Sequence, residues 1–329
     1  MQTLVTGSIA NDYLMSFPGH FSEHILPERI DVLSVSFLVD SLRREPGGTA
    51  ANIAYNLALL GERPLCMATV GPDFEPDRAR LAAAGVDTRY IRAIPGESTA
   101  SFFVSTDLDN RQIASFYIGA MGHAAGQSLS DVTGADIALV VISPNAPDAM
   151  QKLVAECKAL GLPYVYDPSQ QIVRLDGPTL REGIAGARCF VANTYEMELI
   201  HEKTGLNLAA IRDLCPVVVV THGEEGSAIY ADGQEHVIPI APPAAVVDPT
   251  GVGDAYRTAI VHGLVHGLPW DIAGRVGALC ATYALESLGT QAHHFSIDQF
   301  LARYAALFGP VPEPLRRHLL RPQPETQGA

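Results

Sequence analysis

Short runs of apolar, mostly β-branched residues recur along the chain and alternate with alanine- and leucine-rich segments of helical length. The runs are residues 4–6, 67–70, 138–142, 164–166, 190–192 and 217–220. Because they are apolar without alternation, they predict strands buried on both faces by crossover helices. The pattern therefore predicts an α/β fold whose mostly parallel sheet lies between two helical layers, with ligands at the carboxyl ends of the strands.

Two segments, residues 12–46 and 98–120, break this rhythm and predict a small antiparallel β lid. In the second segment, two aromatic-rich runs flank a polar turn at 107–111. A loop at 108–110 places Asp107 opposite Arg111, and Phe102 opposite Phe116 on one face. An ordinary hairpin that packs its aromatic residues on the core is the alternative from spacing alone.

In the first lid segment, residues 33–39 alternate between apolar and polar types and predict another strand. One face would carry Leu33, Val35, Phe37 and Val39, and the other would turn Ser36 toward a ligand. The sequence thus predicts a catalytic core of residues 1–11, 47–97 and 121–329, a lid of residues 12–46 and 98–120 over the substrate site, and a frayed tail at 322–329.

Composition narrows the function classes. The 329 residues include 36 acidic and 22 basic side chains, a net charge of -14. Such a chain offers no positive field for nucleic acid or for an anionic membrane surface, whereas single nucleotides need only a few local donors. The five cysteines form no C-x-x-C pair, which predicts reduced, buried thiols. The absence of a signal-like start and of a long apolar stretch predicts a soluble, cytoplasmic protein.

The most informative motif is the glycine loop at residues 248–255, which leads into a segment of helical composition. Its two glycines allow backbone N–H groups to turn outward, and a helix N-terminus adds about half a positive charge, so the loop suits a phosphate in transfer. Asp254 lies in the first helical turn, where a carboxylate can take a proton from an attacking hydroxyl. Alternatively, Asp254 merely caps the helix.

A second glycine element, residues 47–52, precedes a helix whose Ile53, Leu57 and Leu60 share one face. Its glycines permit close approach of a ligand, and Asn52 can donate and accept hydrogen bonds; close helix packing is the alternative. Neither glycine element is a Walker loop or a dinucleotide-binding G-x-G-x-x-G, which excludes the two commonest nucleotide-binding folds.

Two polar elements follow predicted strands. Asn193 and Glu196 begin where the strand at 190–192 ends, and their oxygens suit Mg²⁺ held through water; a helix-capping pair explains them equally well. Residues 221–227 follow the strand at 217–220 and could form a nucleotide-edge loop or a plain turn.

These elements, in this order and spacing, resemble the PfkB carbohydrate kinase family along nearly the whole chain. Residues 47–61 resemble its first signature, residues 248–264 its second, residues 193–196 its N-x-x-E motif and residues 221–226 its ATP-edge loop. The resemblance implies a ribokinase-like three-layer α/β/α core and phosphoryl transfer from ATP. It further implies that Asp254 is the catalytic base and that Gly251, Val252 and Gly253 form the anion hole.

The same resemblance assigns the nucleotide and metal sites. It implies that ATP with Mg²⁺ is organised by Asn193 and Glu196 and edged by Thr221, Gly223 and Gly226. A monovalent cation such as K⁺ beside Asp248 and Thr250 is implied by the family alone.

Within the family, the likeness is to bacterial adenosine kinases of the ribokinase-like type, and it rests on residues 7–15, 33–40, 112–117, 167–171 and 248–257. It implies that Asp12, Asn52 and the Gly48 backbone bind the ribose hydroxyls, and that Phe102 and Phe116 hold the purine. Ser8, Ser36 and either Gln170 or Gln171 would assist, and Arg174 would lie near the transferred phosphate.

The leading hypothesis is therefore an adenosine kinase that forms AMP and ADP. One alternative keeps the chemistry but changes the substrate to ribose, fructose, guanosine or inosine; phenylalanines facing the pocket favour a purine. Another is a silent nucleoside-binding protein, against which the retained Asp254 and glycine loop argue. The exposed edges of the lid sheet are compatible with a homodimer through the lid.

Overall fold

The computed structural model describes residues 2–25, 31 and 34–320. Its strands are β1 Gln2–Thr6, β2 Ala10–Ser16, β3 Ser41–Gly47, β4 Leu65–Val70, β5 Asp87–Ala93, β6 Ala100–Thr106, β7 Gln112–Tyr117, β8 Ile137–Ile142, β9 Tyr164–Tyr166, β10 Cys189–Asn193, β11 Val217–Thr221, β12 Ser227–Ala231 and β13 Gln234–Ile238. All six apolar runs singled out above lie within strands, so those predictions are confirmed.

The helices complete a layered core. They are α1 Phe21–His24, α2 Thr49–Leu59, α3 Glu75–Ala83, α4 Pro147–Leu160, α5 Gly177–Ile184, α6 Thr194–Thr204, α7 Leu208–Leu214, α8 Val252–His266, α9 Trp270–Leu285, α10 Ile297–Phe308 and α11 Glu313–Leu319. Short 3₁₀ turns, among them Ser169–Val173 and Gly223–Glu225, link several of these elements.

The large sheet has nine strands in the order β13-β12-β11-β10-β9-β8-β1-β4-β5. Its described pairings are parallel except for β11 with β12 and β12 with β13, which are antiparallel. Successive residues of one strand enter different cores: Val5 packs with α2, α8 and α9, whereas Leu4 packs with α4 to α7. Alternate side chains point to opposite faces of a strand. The fold is therefore the three-layer α/β/α core that the sequence predicts.

A separate four-stranded sheet, in the order β3-β2-β6-β7, is formed by the segments predicted to make the lid. Both of its hairpins are antiparallel, as predicted, but they join through a parallel pairing of β2 with β6 that the pattern did not anticipate. Phe102 pairs with Phe116, and the Asp107 N–H donates to the Arg111 carbonyl over 3.0 Å, so the predicted register is confirmed. The division of the chain into core and lid domains stays a prediction.

The strand predicted at residues 33–39 is wrong where the structure describes it. Residues 34–39 are irregular, and the strand of this segment is β3, which pairs with β2 along its full length. The alternation does not correspond to one buried face, because Val35 is 39% exposed while Phe37 packs edge-on against Phe17 and Phe21. Leu33 and the predicted tail at 322–329 lie outside the described residues.

All five cysteines are buried free thiols, which confirms that prediction. Within residues 2–25, 31 and 34–320, no helix has both the length and the apolar character needed to span a membrane.

Candidate active site

The glycine loop leads directly into α8. Gly251 is the N-cap residue and has a φ of 77°, a left-handed conformation that favours glycine; a Cβ there would lie 2.9 Å from the Thr290 Cβ. Asp248 braces the loop by accepting N–H donations from Thr250 over 2.9 Å and from Gly289 over 3.0 Å. As a glycine, the N-cap residue supplies no side chain to cap the start of α8, which leaves the N-terminal positive charge of the helix for a bound anion.

Asp254 lies in the first turn of α8 and is buried. Its Oδ2 accepts a hydrogen bond from Asn52 Nδ2 over 2.8 Å. The Asn52 Oδ1 accepts from Thr290 Oγ1 and Gln291 Nε2, which fixes the amide with its nitrogen toward Asp254. Burial raises the pKa of Asp254, while Arg257 and Asn52 oppose the shift. A carboxylate whose basicity is raised suits a general base.

Arg257 and Asp167 complete the site, and the sequence reasoning gave neither of them a role. The Arg257 guanidinium lies 2.7 Å from Asp167 Oδ2, 3.4 Å from Asp254 Oδ1 and 3.9 Å from Glu196 Oε2. Asp167 is completely buried, and its desolvation raises its pKa to about 7 against the influence of Arg257. Two signals were available: Asp167 follows the apolar run of β9, and Arg257 lies one helical turn after Asp254.

A cavity of about 530 Å³ joins the lid to this loop. The predicted residues that line it are Ser8, Asp12, Gly48, Asn52, Phe102, Phe116, Gln170, Gln171, Thr250, Gly251, Gly253 and Asp254. The two glycine elements, 200 residues apart in the chain, thus meet in one chamber. Phe102 and Phe116 line its lid side, and Asp254 lies at its core side.

Asp12 reaches the cavity from β2. Burial, and then the carboxylates of Asp248, Asp254 and Glu45, raise its pKa from 3.8 to about 6. Asp12 is therefore ionised at neutral pH, where it can accept hydrogen bonds from substrate hydroxyls.

Three of the predicted catalytic and substrate-binding residues do not line the cavity. Ser36 is exposed in the irregular segment before β3, because the strand that was to present it does not form. Arg174 is also exposed, at the end of the 3₁₀ turn that carries Gln170 and Gln171. Val252 is the first residue of α8, and its side chain packs against the hydrophobic core.

The predicted ATP-edge residues gather at the carboxyl ends of β10 and β11. Asn193 pairs with Thr221 across these strands, and Gly223 and Gly226 lie in the turn that follows. Gly226 has a φ of 94°, and a Cβ there would lie 2.2 Å from the Ile238 carbonyl oxygen. The predicted ATP-edge residues therefore lie at the sheet edge where ligands bind in α/β folds, outside the cavity that Asp254 lines.

Asn193 and Glu196 form a reciprocal capping box at the start of α6. Asn193 Oδ1 accepts from the Glu196 N–H, and Glu196 Oε2 from the Asn193 N–H, each over 2.8 Å. Glu196 Oε1 also accepts from Ser169 Oγ over 2.9 Å. The helix-capping pair considered as the alternative is therefore present. Each carboxylate oxygen of Glu196 nevertheless keeps a second lone pair that can accept a hydrogen bond from water. The residues fit a hydrated Mg²⁺ held through water.

Comparison with known proteins agrees with this geometry. The sequence profile of the pfkB family carbohydrate kinases matches residues 24–295. A nucleoside kinase of Methanothermobacter thermautotrophicus is 30% identical over 313 residues, which cover 94% of this chain and 97% of the relative. The chain belongs to the PfkB carbohydrate kinase family.

Solved structures point the same way. The Burkholderia thailandensis nucleoside kinase in complex with inosine has a TM-score of 0.85 and 36% identity, covering 94% of this chain and 99% of that chain. The same kinase in complex with ADP-inosine has a TM-score of 0.83 and 37% identity, covering 94% and 97%. Ribokinase from Thermotoga maritima shares the fold, with a TM-score of 0.75, 19% identity and coverage of 92% and 99%. The ribokinase-like fold is thus confirmed.

Proposed function

We propose that this protein is an ATP-dependent nucleoside kinase that phosphorylates the 5'-hydroxyl of a purine nucleoside, with adenosine as its substrate. The observation that carries the proposal is the single cavity in which Asp254 and the glycine loop face a pocket flanked by Phe102 and Phe116. Asp254 and the glycine loop suit phosphoryl transfer, and the two phenylalanines suit a flat, amphipathic base.

In the proposed reaction, the 5'-oxygen attacks the γ-phosphorus of ATP as Asp254 accepts the hydroxyl proton. A new O–P bond forms, the bond to the β,γ-bridging oxygen breaks, and its electron pair leaves with ADP. The N–H groups at the start of α8 stabilise negative charge on the transferred group. Mg²⁺ bound with ATP, held through water by Asn193 and Glu196, would neutralise phosphate charge. Positioning and charge stabilisation supply most of the rate enhancement.

The ribose and base are held by separate parts of the cavity. Asp12 and Asn52 lie near Asp254 and would bind the ribose hydroxyls together with the Gly48 backbone. Phe102 and Phe116 are cross-strand neighbours on the lid, and Gln170 and Gln171 offer amide groups to the edge of the base. A small sugar would leave the aromatic side of the cavity without a partner, which disfavours ribose and fructose.

Inosine is the second candidate substrate, because the Burkholderia thailandensis relative was solved with it. Adenine and hypoxanthine differ at the 6-position, where one presents a donor and the other an acceptor. A glutamine amide can supply either group by rotation, so Gln170 and Gln171 are compatible with both nucleosides.

The first test is ADP release with Mg-ATP against adenosine, inosine, guanosine, ribose and fructose. We expect the highest kcat/KM with adenosine. A preference for inosine would keep the nucleoside kinase and change the base; a preference for a sugar would overturn the role of the lid. Binding of nucleoside without any turnover would support a silent binding protein.

Phe116 provides a sharper test of base recognition. Stacking of a base on an aromatic side chain contributes about 1–3 kcal/mol, so Phe116→Ala should raise KM for the preferred nucleoside about 10-fold or more with a smaller change in kcat. Phe103→Ala is the matched control, because the Phe103 ring stacks on Tyr13 and does not line the cavity. Equal effects of the two substitutions on KM would contradict the proposed base site.

Replacing Asp12 with asparagine should weaken nucleoside binding while raising the thermal stability of the protein at high pH. Since the folded-state pKa of Asp12 is about 6 and its ordinary value is 3.8, stability falls as pH rises from about 4 to 6. We expect the variant to have a Tm about 2 °C higher than wild type at pH 8 and an equal Tm at pH 4. Loss of a charged acceptor should weaken nucleoside binding about 10-fold or more. Unchanged affinity, or equal Tm values at pH 8, would contradict this assignment.

The monovalent cation beside Asp248 and Thr250 stays a prediction. The described contacts of Asp248 brace the loop through backbone N–H groups. A homodimer through the lid also stays a prediction, supported by the exposure of every residue of the edge strand β7.

A further inference from the structure

Glu62, His262 and His266 form a compact cluster far from the glycine loop. One ligand-type atom from each of them lies within 4.8 Å of the other two. Glu62 Oε1 lies 2.5 Å from His262 Nδ1 and 3.4 Å from His266 Nε2, so both rings converge on the same oxygen. The two histidines are four residues apart on α8 and therefore share one face of the helix.

We propose that Glu62, His262 and His266 bind a zinc-type divalent transition-metal ion. Two imidazoles and one carboxylate are a ligand set suited to zinc, and they are poorly suited to Mg²⁺ or Ca²⁺, which prefer oxygen ligands. A tetrahedral ion with bonds of about 2.0–2.2 Å separates its ligand atoms by roughly 3.3–3.6 Å. The three atoms need only small side-chain shifts to reach that spacing.

The surroundings of the cluster are compatible with a bound ion. The Nε2 atom of His262 is buried and makes no hydrogen bond to any residue that the structure describes. Both rings face the single oxygen Glu62 Oε1, so three ligand-type groups already converge on one point. The His262 side chain is 2% exposed and that of His266 is 25% exposed, so an ion would reach the cluster from the His266 side.

The site would brace the helix pair that carries the catalytic groups. Asn52 and Asp254 join α2 to α8 near their N-terminal ends, and Glu62 and His262 join the same chain segments near the other end. Eight residues of α8 separate Asp254 from His262, which corresponds to about 12 Å along the helix axis. The proposed ion therefore lies outside the Mg-ATP site and stabilises the structure without touching substrate.

The test uses the full-length protein, freed of metal with a chelator and titrated with zinc alone by calorimetry. We expect one saturable equivalent. His266→Gln should weaken that binding at least 10-fold, a loss typical of disturbing a metal's ligand environment. His123→Gln is the matched control, because His123 also contacts a carboxylate, that of Glu97 at 3.2 Å, but lies outside the proposed three-residue site. This variant should bind zinc as the wild type does.

Thermal unfolding provides an independent readout. Zinc at 100 times its Kd should raise Tm by about 4 °C, and this rise should vanish in His266→Gln. Because His266 lies outside the proposed catalytic cavity, the zinc-free variant should keep wild-type turnover, which shows that it is folded. Absence of saturable binding in the wild type, or equal zinc affinity in wild type and His266→Gln, would overturn the proposal and leave the proposed kinase function untouched.

Discussion

Replacing Asp254 with asparagine should lower kcat by two orders of magnitude or more while binding of nucleoside and ATP stays largely intact. The amide has nearly the shape of the carboxylate but cannot accept the 5'-hydroxyl proton. Removal of a general base typically costs about 10²–10⁴ in rate. The loss should appear in kcat, with KM little changed, because the carboxylate acts in the transition state.

Asp298→Asn is a suitable control for this experiment. Asp298 is also an aspartate in the first turn of a helix, α10, but it does not line the cavity. Its replacement tests whether loss of a charge at a helix N-terminus is enough to affect turnover, and we expect kcat to remain unchanged. Near-normal kcat in Asp254→Asn would remove Asp254 from the role of base.

Replacing Arg257 with methionine should produce the largest loss of stability. The change would leave the completely buried Asp167 without its nearest positive charge. Breaking a buried ion pair by removing one partner costs about 3–5 kcal/mol, so Tm should fall by about 5 °C at pH 8. Without Arg257 the pKa of Asp167 rises beyond its present value of about 7. The loss should therefore be smaller at pH 5.5, where the carboxyl group is protonated.

Two comparisons make this prediction specific. Adding Asp167→Asn to the Arg257→Met background should recover part of the lost Tm at pH 8, because it removes the unpaired charge. Arg89→Met is the surface control: Arg89 is 64% exposed beside Asp87, and loss of an exposed pair should lower Tm by less than about 2 °C. A pH-independent loss in Arg257→Met, or no recovery in the double variant, would show that packing and not charge explains the effect.

The amino-acid sequence by itself predicted the layered core and located its main glycine loop. Short uninterrupted apolar runs favour strands covered on both faces, and all six runs lie in strands. The glycine loop could also be located from the sequence, because two glycines followed by a carboxylate at the start of a helical segment are local features of the chain. In the structure Gly251 has a φ of 77° and Asp254 lies in the first turn of α8. The hairpin that pairs Phe102 with Phe116 was also set locally, by the length of its turn.

Only the tertiary structure decided which distant groups meet. Alternation at residues 33–39 indicated a strand, but strand formation needs a partner, and β2 pairs instead with β3 on one side and β6 on the other. Asp167 and Arg257 are 90 residues apart in the chain, so no local sequence pattern predicts that they form an ion pair. Asn52, Thr290 and Asp254 likewise become one network only when α2, α8 and the loop before α10 pack together. Burial then shifts the pKa values of the acidic residues, since desolvation is a property of the packed site and not of the sequence that encodes it.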